Sequence, residues 1–216
     1  MTTETVATAR LAAARGFGLT LRIALVLTLA SLALFASAGV SEESVRAWIR
    51  ATARASVVLF LLTFVARPLR QLWRGGVAGW LLANRRYLGV SGAYAQLLHL
   101  GAIVWLFQGF PGAEQAPDLA TLIGGGLGFA FYFAMGLSSN DAAVAALGKR
   151  AWRTLHTAGA YWIWGIFAFT NWGVMRTALS GTLGLGHQLL YVAIQAALFA
   201  AMGLRIAARV RARATH

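Results

Sequence analysis

Cysteine is absent from this chain of 216 residues, which excludes disulfides, iron–sulfur ligation and thiol chemistry. Acidic residues are scarce as well. Six Asp and Glu stand against nineteen Lys and Arg, a formal charge of +13. Charged residues make up only 12% of the chain, about half the share usual in a soluble domain. Hydrophobic residues make up 59%, and the mean hydropathy is +0.66. Such a chain cannot cover a globular surface with polar groups, so its solvent is the lipid bilayer. The positive charge does not point to nucleic acid. Lys and Arg stand beside apolar stretches rather than in one basic domain, where they mark the cytoplasmic ends of membrane helices.

Six apolar stretches have the length of membrane helices: 20–40, 51–67, 87–108, 119–137, 154–175 and 185–205. The second is the weakest, being short and containing Arg54, whose head must snorkel to the interface. The expected fold is all-α, a polytopic bundle of six transmembrane helices. An N-terminal arm covers 1–19, the transmembrane domain 20–205 and a basic tail 206–216. The connections alternate in charge. Arg10 and Arg15 precede the first stretch, and Arg67, Arg70, Arg74, Arg85 and Arg86 follow the second. Glu114 and Asp118 then occupy a loop without basic residues. Lys149, Arg150 and Arg153 precede the fifth stretch, and Arg205, Arg209, Arg211 and Arg213 follow the sixth. Positive charge on the inner side places both termini in the cytoplasm. The first loop departs from the rule, since Arg46 and Arg50 accompany Glu42 and Glu43 there. Ala36-Ser37-Ala38 after the first stretch also has the form of a signal cleavage site, although the apolar run is longer than a usual signal core.

Glycines crowd the later spans, notably Gly124, Gly125, Gly126 and Gly128. Small residues let membrane helices approach closely, and packing is the expected role of the Gly124–Gly126 run. It is no phosphate loop, because it lies within a span and no Lys follows it.

Two histidines stand inside the spans, and an ionisable residue in a membrane helix points to function. His99 lies 13 residues beyond Arg86, ~20 Å into the third span at 1.5 Å per residue. Gln96, three residues earlier, shares its face. His156 is three residues beyond Arg153, ~5 Å deep. A difference of ~15 Å means that the two do not clamp one iron. Phe169 is level with His99 on the fifth span and ligates nothing. His187, near the outer end of the sixth span, is the one other histidine in the outer half, either a partner for His99 or a solvated interfacial residue. His216 ends the chain and is expected to be disordered. Trp152 and Trp172 fit an interfacial aromatic belt, and Tyr161, Trp162 and Trp164 lie between them.

The runs ARPLRQLW, LLANRRYLGVSGAYAQLLHL and LSSNDAAVAALGKRAWRTLH carry a family pattern. Over about residues 55–205 the chain resembles the ferric reductase-like transmembrane domain family. Within that family it is most similar to the haem-binding membrane subunits of bacterial methionine sulfoxide reductase systems. The resemblance implies a six-helix bundle of the bacterial inner membrane that passes electrons through b-type haem. It implies that His99 is the outer-haem ligand, that His156 is the inner-level histidine of the fifth span, and that Arg85 or Arg86 is the basic residue at the cytoplasmic mouth. The family has a second histidine further along the fifth span, near the place of Phe169, so at most one haem is well ligated here. No flavin domain or dinucleotide fingerprint follows the last span, so a separate donor protein or a quinol is expected to supply electrons to a separate acceptor. A flavin or quinone beside His156 and Arg85 suits the local charge. Two other classes are set against this reading: a haem-free scaffold or partner subunit, and a solute or proton transporter. The transporter would need more acidic groups inside the spans than this chain has.

Overall fold

The computed structural model describes residues 16–112, 119–182 and 184–214. Most of the N-terminal arm, the acidic loop residues Glu114 and Asp118, and His216 therefore lie outside the described residues. Six long helices follow one another: α1 (Phe17–Ala38), α2 (Glu42–Leu72), α3 (Gly76–Gly109), α4 (Leu119–Leu137), α5 (Asp141–Thr177) and α6 (Leu185–Ala214). A short π-helical segment, Ala178–Thr182, closes α5. No strand occurs among the described residues.

Local chemistry sets the helix ends. Ser41 and Ser44 form a reciprocal cap at the start of α2, each hydroxyl accepting from the other residue's N–H at 3.2 and 2.9 Å. Glu42 and Glu43 in that first turn face the positive end of the helix dipole. Asn140 caps α5 by accepting from the Ala143 N–H at 2.7 Å. Gly148, at φ +77°, breaks α5 after its second turn, a conformation that a side chain would strain.

α1, α2, α3 and α6 are each long and apolar enough to cross a membrane. α4 and α5 meet that test together, as a pair bent by 120° at Ser138–Asn140. The weak member is thus not the second stretch: α2 runs for 31 residues with an apolar middle. α4 has only 19 residues, ~28 Å against a hydrocarbon core of ~30 Å, and α5 opens with Asp141, Lys149, Arg150 and Arg153. α6 continues through Ala214, so the expected basic tail is in fact helical as far as that residue.

α2 and α3 form the central antiparallel pair. Leu59 and Ala66 of α2, Leu88 and Ala95 of α3 and Leu19 of α1 bury one another on one side. On the other side Phe60 and Phe64 meet Tyr132 of α4, Ala160 and Ile163 of α5 and Ala201 of α6. Leu21, Leu25, Leu29 and Leu32 of α1 stay exposed, as lipid-facing residues do. Polar side chains cross-link the helices. Thr28 pairs with the Tyr94 hydroxyl at 2.7 Å, Trp48 Nε1 donates to Ser31 Oγ, and Asn171 Nδ2 donates to Gln195 Oε1, both at 2.8 Å. In a bilayer such bonds contribute about 0.6–2 kcal/mol each.

The glycines divide by contact. A methyl group added at Gly136 would meet Ala93 Cβ at 2.8 Å, and one at Gly124 would meet Ile166 Cδ1 at 3.1 Å. Gly125 and Gly126 have open space around them, so within the expected packing run only Gly124 is in close contact. Gly136→Ala is expected to destabilise the bundle by about 1–3 kcal/mol, because Ala93 Cβ is fixed to its backbone and cannot yield. Gly126→Ala should match or slightly exceed the parent, since alanine is the better helix former. Thermal melting in detergent, with the two variants side by side, checks this pair.

Candidate functional site

Helix α3 enters the bundle with Asn84, Arg85 and Arg86, and the 3.6-residue repeat turns Arg85 toward α2. Its Nε donates to the carbonyl of Thr63 at 3.1 Å. Arg86 pairs with the exposed carboxylate of Asp141 at the start of α5. That guanidinium, by hydrogen bond and charge, holds the Asp141 carboxyl below the usual carboxylate range. Asp141 is therefore ionised at neutral pH and loses its charge only as pH falls through that lowered value.

Beside Arg85 the helices enclose a cavity of about 690 Å³, within the 300–1,000 Å³ usual for ligand sites. Its deep walls are apolar, with Phe60, Phe64, Tyr132 and Ile163 prominent. Six arginines line it: Arg67, Arg85, Arg86, Arg153, Arg205 and Arg209. No acidic residue is among its lining in the described residues. Arg205 lies over the Phe64 ring at 4.0 Å and over Tyr161 at 4.9 Å, so its charge is seated on aromatic faces. Its Nη1 and the Tyr161 hydroxyl are both buried beside this aromatic pair. A cavity apolar in depth and cationic at its wall suits a planar molecule that carries negative charge.

His156 lines this cavity. Its Nε2 is 3.1 Å from Ser138 Oγ, and its ring stacks on Trp152 with centroids 4.0 Å apart. Trp152 Nε1 donates to the Ser138 carbonyl at 2.8 Å. Trp152 is thus part of the site wall, where the sequence had suggested an interfacial belt. Trp172, by contrast, is 48% exposed.

His99 lies elsewhere. Its Nδ1 is 3.1 Å from the Ile49 carbonyl and 3.2 Å from Thr52 Oγ1, and its ring stacks loosely on Phe129 at 6.0 Å. It does not line the arginine cavity. Thr52 and Thr63 are eleven residues apart on α2, which separates the two levels by ~16 Å. Gln96, buried one turn from His99, has an Oε1 with no partner among the described residues. His187 is exposed in the first turn of α6, and no contact joins it to His99. Phe169 is 70% exposed and faces away from the bundle.

The structure therefore joins His156, Arg85 and Arg86 around one cavity and leaves His99 and Gln96 outside it. Sequence reasoning missed Ser138, Arg67, Arg205 and Arg209. The last two resembled orientation signals, but their spacing of four places them on one face of α6. That spacing was the available signal.

No protein-family model matches the chain, and no solved structure matches it. Curated relatives do. A protein of Azospira oryzae is 31% identical over 156 residues, which covers 69% of this chain and 60% of the relative. One of Ralstonia nicotianae is 32% identical over 112 residues, 50% of this chain and 49% of that one. One of Polaromonas naphthalenivorans is 29% identical over 113 residues, 51% and 50% of the two chains. Each bears the name protein-methionine-sulfoxide reductase heme-binding subunit MsrQ. The chain spans between about half and three-fifths of the length of these relatives.

Proposed function

From its likeness to these haem-binding subunits, we propose that this chain is a membrane electron-transfer subunit with two cofactor levels. A b-type haem is held through His99. An anionic flavin, or a quinone, occupies the arginine cavity beside His156. Six spans with cytoplasmic termini, in a bacterial inner membrane, set the cavity toward the cytoplasm and His99 toward the outer face. A separate reductase or a quinol supplies electrons, and an acceptor outside the membrane takes them.

The observation that carries the haem reading is the state of the His99 ring. The Ile49 carbonyl can only accept, so Nδ1 bears the proton. Thr52 Oγ1 donates its own proton to Trp48 O at 2.8 Å and is free to accept from Nδ1 as well. The lone pair is then on Nε2, which has no hydrogen-bond partner among the described residues. Haem-ligating histidines are commonly held in this way, with the remote nitrogen fixed by a carbonyl. The residues present thus fit one axial ligand. Haem bound there supplies a one-electron carrier. Ile49 and Thr52 orient the imidazole, and Phe129 covers one of its faces. At the inner level the arginines bind the negative group and the aromatic walls exclude water.

The absorption spectrum of the purified protein, before and after haem supplementation, tests this reading. A Soret band is the expected result, and its absence after supplementation overturns the haem assignment. A second reading, a haem-free partner or scaffold subunit, is favoured by Phe169. The family resemblance implies an imidazole near this place, whereas Phe169 is exposed, and no second histidine contacts His99 among the described residues.

A further inference from the structure

The hydrogen bonds at the break between α4 and α5 determine which nitrogen of His156 is available to a ligand. Ser138 Oγ has one proton, and its shortest contact, 2.6 Å, is with the carbonyl of Ala134. A carbonyl only accepts, so the hydroxyl proton is committed there. Toward His156 Nε2, 3.1 Å away, Ser138 Oγ can then only accept. Nε2 therefore bears the imidazole proton, and Nδ1 bears the lone pair. No described residue hydrogen-bonds Nδ1. The plane of the ring is set by Trp152, which stacks on it and is itself tied to the Ser138 carbonyl. One serine thus fixes both the tautomer and the support of the ring. The arrangement is the reverse of that at His99, where Nδ1 is protonated.

The cavity that His156 lines is rich in donors. All six of its arginines donate hydrogen bonds and accept none. A bare ring nitrogen is the complementary group among them.

We propose that Ser138 is a positioning residue that holds His156 in its Nε2–H form, so that Nδ1 accepts a hydrogen bond from the cavity ligand. The ligand class is a planar ring system with negative charge for the arginines and an N–H or O–H for Nδ1. Flavin mononucleotide meets both terms, through its phosphate and its ring N–H, whereas a neutral hydroquinone meets only the second, through its O–H. The assignment of Nδ1 to the ligand rests on the reading of the inner cavity as a cofactor site, whereas the tautomer itself does not.

The chain has four histidines, so histidine labelled with ¹⁵N in the ring gives a spectrum simple enough to assign, with His156→Gln identifying the signal of interest. In the cofactor-free parent, His156 should show an unprotonated Nδ1 and a protonated Nε2. Ser138→Ala should turn this into a mixture of tautomers, and Ser138→Thr should restore it. A His156 protonated on Nδ1 in the parent overturns the proposal, as does an unchanged His156 spectrum in Ser138→Ala. Addition of FMN or of a water-soluble hydroquinone distinguishes the ligand: the bound one moves the Nδ1 resonance, and its Kd rises several-fold in Ser138→Ala but not in Ser138→Thr. Binding that leaves Nδ1 unmoved overturns the acceptor role. Failure of both probes to bind, with the tautomer as expected, overturns instead the reading of the cavity.

Discussion

His99→Ala is expected to remove the Soret band of the haem-supplemented protein completely, while His156→Ala retains most of it. The contrast follows from position. His99 has its Nε2 lone pair unengaged, held by Ile49 and Thr52 behind the ring. His156 is at the level of Thr63, eleven residues along α2, and cannot reach the same iron. His187 is exposed on α6 and Phe169 is exposed on α5, so no other described histidine compensates for the loss of His99. If haem is held through His99, no other described histidine would ligate it, and the reduced, haem-supplemented protein would then bind carbon monoxide. Absorption spectra with and without carbon monoxide check this on one sample. A band that survives in His99→Ala, or is lost in His156→Ala, places the haem at the other level.

The second large effect is expected at Arg85. Its guanidinium is anchored by the Thr63 carbonyl at 3.1 Å and is partly buried, so it meets a ligand already oriented. Hydrogen bonds from charged groups contribute about 1.5–3 kcal/mol, which corresponds to roughly 10- to 150-fold in Kd. Arg85→Ala should therefore weaken FMN or hydroquinone binding by that factor. Arg153, also in the lining but exposed at the rim, provides the control. Solvent screens its charge, and Arg153→Ala should change the Kd by no more than about threefold. Equilibrium titration followed by flavin fluorescence separates the two variants. Equal effects would mean that the ligand is held by the general field of the basic face and not inside the cavity.

Much of the fold was legible because the bilayer simplifies the problem: every span must be apolar and helical, and each shows as a run of ~20 residues. Helix α3 and its Gln96-x-x-His99 stripe could be read directly, since a polar stripe in lipid must face protein. The separation of His99 from His156 followed from counting residues along one rise. Other features depended on neighbours that no single stretch reveals. Arg205 and Arg209 resembled ordinary flanking charges, and only the packing of α6 beside Phe64 and Tyr161 turns them into cavity wall. Ser138 resembled a loop residue, because its role is set by His156, eighteen positions away. The bend between α4 and α5 was hidden for a similar reason, since apolar content alone does not distinguish two spans from one that is folded sharply.

The outward-facing Phe169 has a consequence for how this chain could change over time. Histidine introduced at 169 alone would not supply a second imidazole to the bundle interior in the present helix. Histidine at 169 would place its ring outside the bundle, because that face of α5 is exposed. To bring an imidazole inward, the outer half of α5 would have to rotate about its own axis, and one inserted residue turns the remainder by about 100°. Such an insertion would also displace Asn171 from Gln195 and Tyr191, the bonds that now hold α5 to α6. The present packing therefore offers no inward position at residue 169, and His99 is the one described histidine at this level.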